Sequence, residues 1–181
     1  VYGRENAFLL REQFRQGQAP RFRFPGPERT EPWCQRVSQR FGLSLEEAAY
    51  LARRRWNYGF FGQRYISIHA TRTDDEITEA YGERIYRGQG PAEIEAVVTD
   101  GSEALFLPAV YHVSDARVLS GDPAGCQVDE IVSYEGLYCD AANTGQTIRA
   151  YGKLETVNGE LRRLVVGTTA VPGGGSIRPT R

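Results

Sequence analysis

Residues 147–157 alternate well between apolar and polar side chains, and Asn158-Gly159 follows at once. Ile148, Ala150, Gly152 and Leu154 share one face, and Arg149, Tyr151, Lys153 and Glu155 share the other. A period of two is the pattern of a half-buried strand. Asn-Gly tolerates the positive φ of a type I′ turn, so Leu161 to Thr168 is expected to return as the antiparallel partner. The same rhythm starts at Ala92, where Ile94, Ala96 and Val98 alternate with Glu93, Glu95 and Val97. Asp100-Gly101 is a turn signal. Leu105 to Val118 is a β-prone run in which Pro108 marks an edge or a bulge. Val128 to Tyr134 reads as a further strand. Residues 91–170 are therefore expected to form a small antiparallel, barrel-like module, with an oligonucleotide-binding (OB-like) barrel as one form it can take.

The first half reads differently, and the fold class expected is α+β. Residues 1–90 form a helical region with a few strands. Ala7, Leu10 and Phe14 lie on one helical face of residues 4–16. Arg21 to Phe24 alternates as a short edge strand. A second helix is expected from Thr30 to Phe41, with Thr30 as N-cap and Pro32 in the first turn. Trp33, Val37 and Phe41 would line its buried face. The third helix opens on a capping box, Ser44 with Glu47, and carries the apolar stripe Leu45, Ala48, Ala49, Ala52 and Trp56. Residues 57–62 read as a connection and Arg64 to Ala70 as a strand. Gly82 to Gly90 reads as the link to the β-module. Residues 171–181, with three consecutive glycines, read as a flexible tail.

Composition narrows the partners. The chain has 181 residues and a formal net charge of −1, so no global field draws it to nucleic acid or an anionic membrane. No apolar run approaches the ~18 residues of a membrane span. Three cysteines, an odd number with no Cys-x-x-Cys pair, argue against a disulfide framework or zinc site. A reduced, cytoplasmic setting is expected. Of the 22 basic residues all but Lys153 are arginine, the side chain that grips phosphate or carboxylate through a planar fork.

Three clusters could carry chemistry. Arg53-Arg54-Arg55, with Arg64 close in sequence, suits a phosphate, and it equally suits a helix end answering its dipole. His69 stands at a strand end beside Asp74-Asp75-Glu76. This is a conceivable base and Mg²⁺-binding carboxylate group, or simply a helix N-terminus. The Arg149, Tyr151 and Lys153 row would suit a nucleic-acid strand or be a solvated sheet face.

Several strings, taken in order, resemble one family. They are Phe61-Gly62-Gln63-Arg64-Tyr65-Ile66, Asp75-Glu76-Ile77, Ile94 to Asp100, Ser102 to Phe106, Pro108 to Tyr111, Glu130 to Ser133, and Gly152 to Glu155. Over residues 58–168 the chain resembles the C-terminal portion of a family of predicted nucleotidyltransferases of archaeal type, with a polymerase-β-like catalytic domain. The resemblance implies Mg²⁺ as cofactor, a nucleotide and in some cases nucleic acid as partners, and Arg54, Arg55 and Arg64 as phosphate contacts. It adds Asp75 or Glu76 as metal-binding carboxylates, and with His69, taken from its strand-end position, these are the catalytic candidates. It also implies a Gly-Ser turn and an Asp-x-Asp strand that would precede Val1, with Val1-Tyr2-Gly3 as the strand's end. No Asp-x-Asp occurs in the 181 residues, so this chain alone is expected to be inactive. Two rival readings stand beside it. One is a non-enzymatic nucleic-acid-binding module using Arg149, Tyr151 and Lys153. The other is a structural or partner-binding domain.

Overall fold

The computed structural model describes residues 1–80, 82–169 and 171–180, which divide into two compact units, Val1–Thr78 and Glu79–Arg181. The composition is mixed α+β, as expected, with three α-helices and two sheets among the described residues.

In the first unit, α1 (Arg4–Arg15), α2 (Pro27–Phe41) and α3 (Leu45–Arg54) surround a small antiparallel sheet. Its strands are β1 (Phe22–Arg23), β2 (Tyr58–Phe61) and β3 (Arg64–Ser67), in that order. Phe14 of α1 meets Phe22 of β1 and Trp56 beyond α3, and Ala7, Phe14, Leu51, Trp56 and Phe60 are all buried. Phe14 stacks flat on Phe22 at 3.7 Å between centroids. Gly59 permits this. A Cβ there would stand 2.5 Å from Phe22 Cζ and 2.6 Å from the Arg23 carbonyl oxygen. At the chain start, Tyr2 bridges Thr71 in parallel, and the Val1 amino group donates to the His69 carbonyl at 2.8 Å.

Several expectations need correcting here. Helix α2 starts at Pro27 rather than Thr30, because Pro27 supplies the fixed φ of a first helical turn and Gly26 is the N-cap. Thr30 lies inside the helix, its hydroxyl donating to the Gly26 carbonyl at 3.0 Å. Its buried residues are Cys34 and Val37, and Trp33 is only half-buried. Residues 58–61 are a strand, not a connection: an aromatic run broken by Gly59 hides the period of two. Leu45, assigned to the apolar stripe, is 59% exposed, whereas the Ser44–Glu47 capping box is formed in full.

The second unit is a six-stranded sheet. Strands β4 (Tyr86–Asp100), β5 (Ala109–Gly121), β6 (Glu130–Ser133), β7 (Thr147–Val157), β8 (Glu160–Val166) and β9 (Ser176–Pro179) lie in the order β4-β5-β6-β8-β7-β9. Strand β4 also pairs with β7, so the sheet is partly closed. All pairs are antiparallel except β6 with β8. Ile94, Ala96 and Val98 of β4 and Ile148, Ala150 and Leu154 of β7 point inward with at most 1% exposure. Asn158 and Gly159 adopt φ of 54° and 93°, the double positive φ expected of the turn.

Two further expectations fail. Residues 86–90 are not a link, because Tyr86 to Gly90 pairs with Val157 to Leu154 as the first part of β4. Residues 176–179 are not a flexible tail. They form β9 on the edge of β7, with Ile177 fully buried opposite Ala150. Arg181 lies outside the described residues.

Candidate functional site

A cleft of about 960 Å³ lies wholly within the first unit, between α2, the end of α3 and one face of the small sheet. Its floor follows from local sequence. Arg55 is the C-cap of α3, and two residues on the chain turns into β2. The turn brings the Arg55 guanidinium carbon 3.6 Å from the Tyr58 ring centroid and 4.3 Å from that of Trp33 on α2. Arginine spreads its charge over a plane and is weakly hydrated, so it can lie between two rings where lysine would not. Burial pulls the Arg55 guanidinium below its ordinary pKa, and the Tyr58 phenol beside it partly offsets the pull.

Register paves the same sheet face with aromatics and arginines. Arg23, Phe60 and Tyr65 are cross-strand partners, so they share one face. Arg23 lies 4.1 Å over the Phe60 ring, and Phe60 meets Tyr65 edge-on at 5.2 Å. Arg29, from the first turn of α2, sits 5.2 Å from both rings. Arg36 and Arg53 also line the cleft, and both are exposed. Among the described residues no salt bridge engages Arg29, Arg36, Arg53 or Arg55. Two carboxylates are present, Glu28 and Glu31. That of Glu28 is folded over Gly26 at the N-terminus of α2, where the helix dipole favours it. The cleft therefore offers planar rings together with four arginines against two carboxylates, which suits a planar anion.

The residues singled out from sequence divide. Arg55 is at the floor of the cleft. Arg54 is half-buried and does not line it, because consecutive helical residues point about 100° apart. Arg64 pairs with Phe61 and so lies on the opposite sheet face from Tyr65. His69 is exposed beyond β3, and its carbonyl accepts from the Val1 amino group. Asp75 and Glu76 sit in a single 3₁₀ turn, Asp74–Glu76, capped by Thr73. Glu76 is occupied structurally, accepting from the Arg4 N–H at 2.7 Å and the Thr73 N–H at 3.1 Å. Among the described residues no three His, Cys, Asp or Glu side chains converge on a cation position.

On β7, Arg149 is held by Glu93 through two hydrogen bonds of 2.7 and 2.9 Å. Lys153 pairs with Glu155, itself 6% exposed and bound by Arg163. Tyr151 is half-buried, in register with Glu93 on one side and Ser176 on the other. The basic row is thus largely neutralised within its own sheet.

No family model matches the chain. It is 36% identical over 131 residues to an uncharacterized protein of Methanocaldococcus jannaschii, a match covering 70% of this chain and 36% of that protein. The chain thus spans little more than a third of the relative's length. No solved structure matches. Among the described residues no helix is long and apolar enough to cross a membrane.

Sequence reading found Arg53 and Arg55 but missed their companions. One signal was available: Arg29, Trp33 and Arg36 fall at i, i+4 and i+7, a cationic-aromatic stripe on one helical face. Tyr58, Phe60 and Tyr65 carried none, since their shared face depends on a β2–β3 pairing that the sequence does not announce.

Proposed function

We propose that this chain is the nucleotide-recognising portion of a nucleotidyltransferase-like protein, and that the cleft of the first unit holds the nucleotide. The observation that carries this is Arg55 held against both Trp33 and Tyr58, with no salt bridge among the described residues engaging Arg29, Arg36 or Arg53 around it. A base stacks on rings of this kind, and phosphates pair with guanidinium forks. The volume falls in the ~300–1000 Å³ range of small-ligand sites. The family resemblance supports the same class, since it spans β2 and β3.

The test is calorimetric titration of the whole chain with each of the four nucleoside triphosphates, at low salt, with and without Mg²⁺. Binding is expected in the absence of the metal, weakening as salt rises, and lost in Arg55→Ala. No binding of any nucleotide at low salt would remove the reading.

The strand order favours a second reading for the other unit. Pairing can be followed from β4 through β5, β6, β8 and β7 back to β4, the connectivity of a five-stranded OB-like barrel. Its Arg149, Tyr151 and Lys153 row would then contact a nucleic-acid strand. The ion pairs of Arg149 and Lys153 weigh against it. Single-strand binding that weakens in Arg149→Ala with Lys153→Ala would favour it over the cleft.

A further inference from the structure

The cleft holds more recognition surface than one nucleotide uses. Its volume of about 960 Å³ lies at the upper end of the small-ligand range. Its floor, Arg55 with Trp33 and Tyr58, supplies one stacking and charge-pairing position. Two more aromatics line the same cleft, Phe24 at 42% and Tyr65 at 48% exposure. Folding normally buries rings of this size. These two are not loose. Phe24 meets Phe22 edge-on at 5.2 Å, and Phe22 is locked on Phe14. Tyr65 is held edge-on against Phe60. Both rings are fixed yet open to solvent.

Cations stand with them. Arg23 precedes Phe24 and covers Phe60, and Arg29 reaches the Phe60 and Tyr65 rings. No salt bridge among the described residues engages Arg23. An apolar peptide would leave these guanidinium groups uncompensated, and a free mononucleotide would leave both rings uncovered. A single strand of nucleic acid meets both needs, with bases on the rings and phosphodiesters beside the arginines.

We infer that the cleft takes the end of a single-stranded polynucleotide. Its terminal nucleotide sits on Arg55, Trp33 and Tyr58, and the next bases stack on Tyr65 and Phe24. This rests on the nucleotide reading of the cleft and names its ligand class.

The test compares a fluorescein-labelled tetrauridylate with uridine monophosphate, using the whole chain at low salt. Anisotropy reads the first, and competition against it reads the second. The tetranucleotide is expected to bind at least about tenfold tighter, since each added stack contributes on that order. In Phe24→Ala and Tyr65→Ala that preference is expected to fall about tenfold. Both side chains are partly exposed, so far-UV circular dichroism and melting should match the parent protein. Equal affinity for the two ligands overturns the inference and leaves the nucleotide reading standing. A preference that survives both substitutions also overturns it, because the strand then lies elsewhere. If neither ligand binds, the inference falls, and the titration with the four nucleoside triphosphates decides the nucleotide reading separately.

Discussion

Arg55 closes α3 and Tyr58 opens β2, and the short turn between them sets a guanidinium 3.6 Å from a phenol ring. The Trp33 ring lies 4.3 Å from the same guanidinium. The same contact ties three elements together and forms the floor of the cleft. Arg55→Lys is therefore expected to cost stability as well as binding, because an ammonium is compact, strongly hydrated and unable to stack. The loss should be about 1 kcal/mol, the scale of a partly desolvated cation–π contact. Urea unfolding followed by far-UV circular dichroism measures it. A lysine variant as stable as the parent would show that the stack does not hold the elements together.

The thiols should separate cleanly. Burial raises the Cys34 thiol above its usual range although Arg53 lies nearby. Burial pushes Cys139 up to about 12, and its S–H donates to the Phe106 carbonyl at 3.3 Å. Cys126 is exposed. Since the thiolate is the reactive form, a disulfide reagent at pH 8 is expected to titrate one thiol quickly and the other two only on denaturation. Cys126→Ser should abolish the fast phase. A fast phase that persists would place Cys34 or Cys139 at the surface.

What could be read in advance follows from where each element gets its partners. Strand β7 was legible because its alternation records a buried and an open face, and Asn158-Gly159 specifies its return. Helix α3 was legible because Ser44 and Glu47 cap it locally. Strand β2 was not, since Gly59 sits there for the sake of the Phe22 ring, a residue 37 positions earlier. The start of β4 was hidden by Gly88 and Gly90, which pair with β7 without contributing side chains to a pattern. The cleft was half legible. Arg53 and Arg55 announce cations, but the rings that make them a site come from α2, β2 and β3.

A buried ionic group in the second unit should shape the acid limb of stability. Burial acts to raise the Glu155 carboxyl, but hydrogen bonds from Lys153 and Arg163 outweigh it, and its pKa lies below the usual carboxylate range. Arg163 also lies 3.5 Å over the Tyr86 ring. An unfolded glutamate titrates near about 4.3. The stabilisation is therefore complete above that pH and is lost as pH falls through the lower, folded value. Urea midpoints measured from pH 6 down to pH 3 should drop steeply below about pH 4.3. In Glu155→Gln the drop should be shallower and the plateau lower, because Arg163 keeps its burial and loses its counter-charge. Parallel curves for the two proteins would rule Glu155 out as the acid-sensitive group.

The last strand gives the sharpest test of the fold. Strand β9 pairs with β7 from Ile148 opposite Pro179 to Tyr151 opposite Ser176. Ile177 and its partner Ala150 are both fully buried. Truncating Ile177 to alanine would leave a cavity against the inward face of β7, with an expected cost of about 2–5 kcal/mol. Deleting residues 172–181 would cost more, since it also uncovers the hydrogen-bonding edge of β7 over residues 148–151. Both are measured as shifts in urea midpoint against the full chain. A flexible extension would behave oppositely: its removal would leave the midpoint where it was, and Ile177→Ala would be silent.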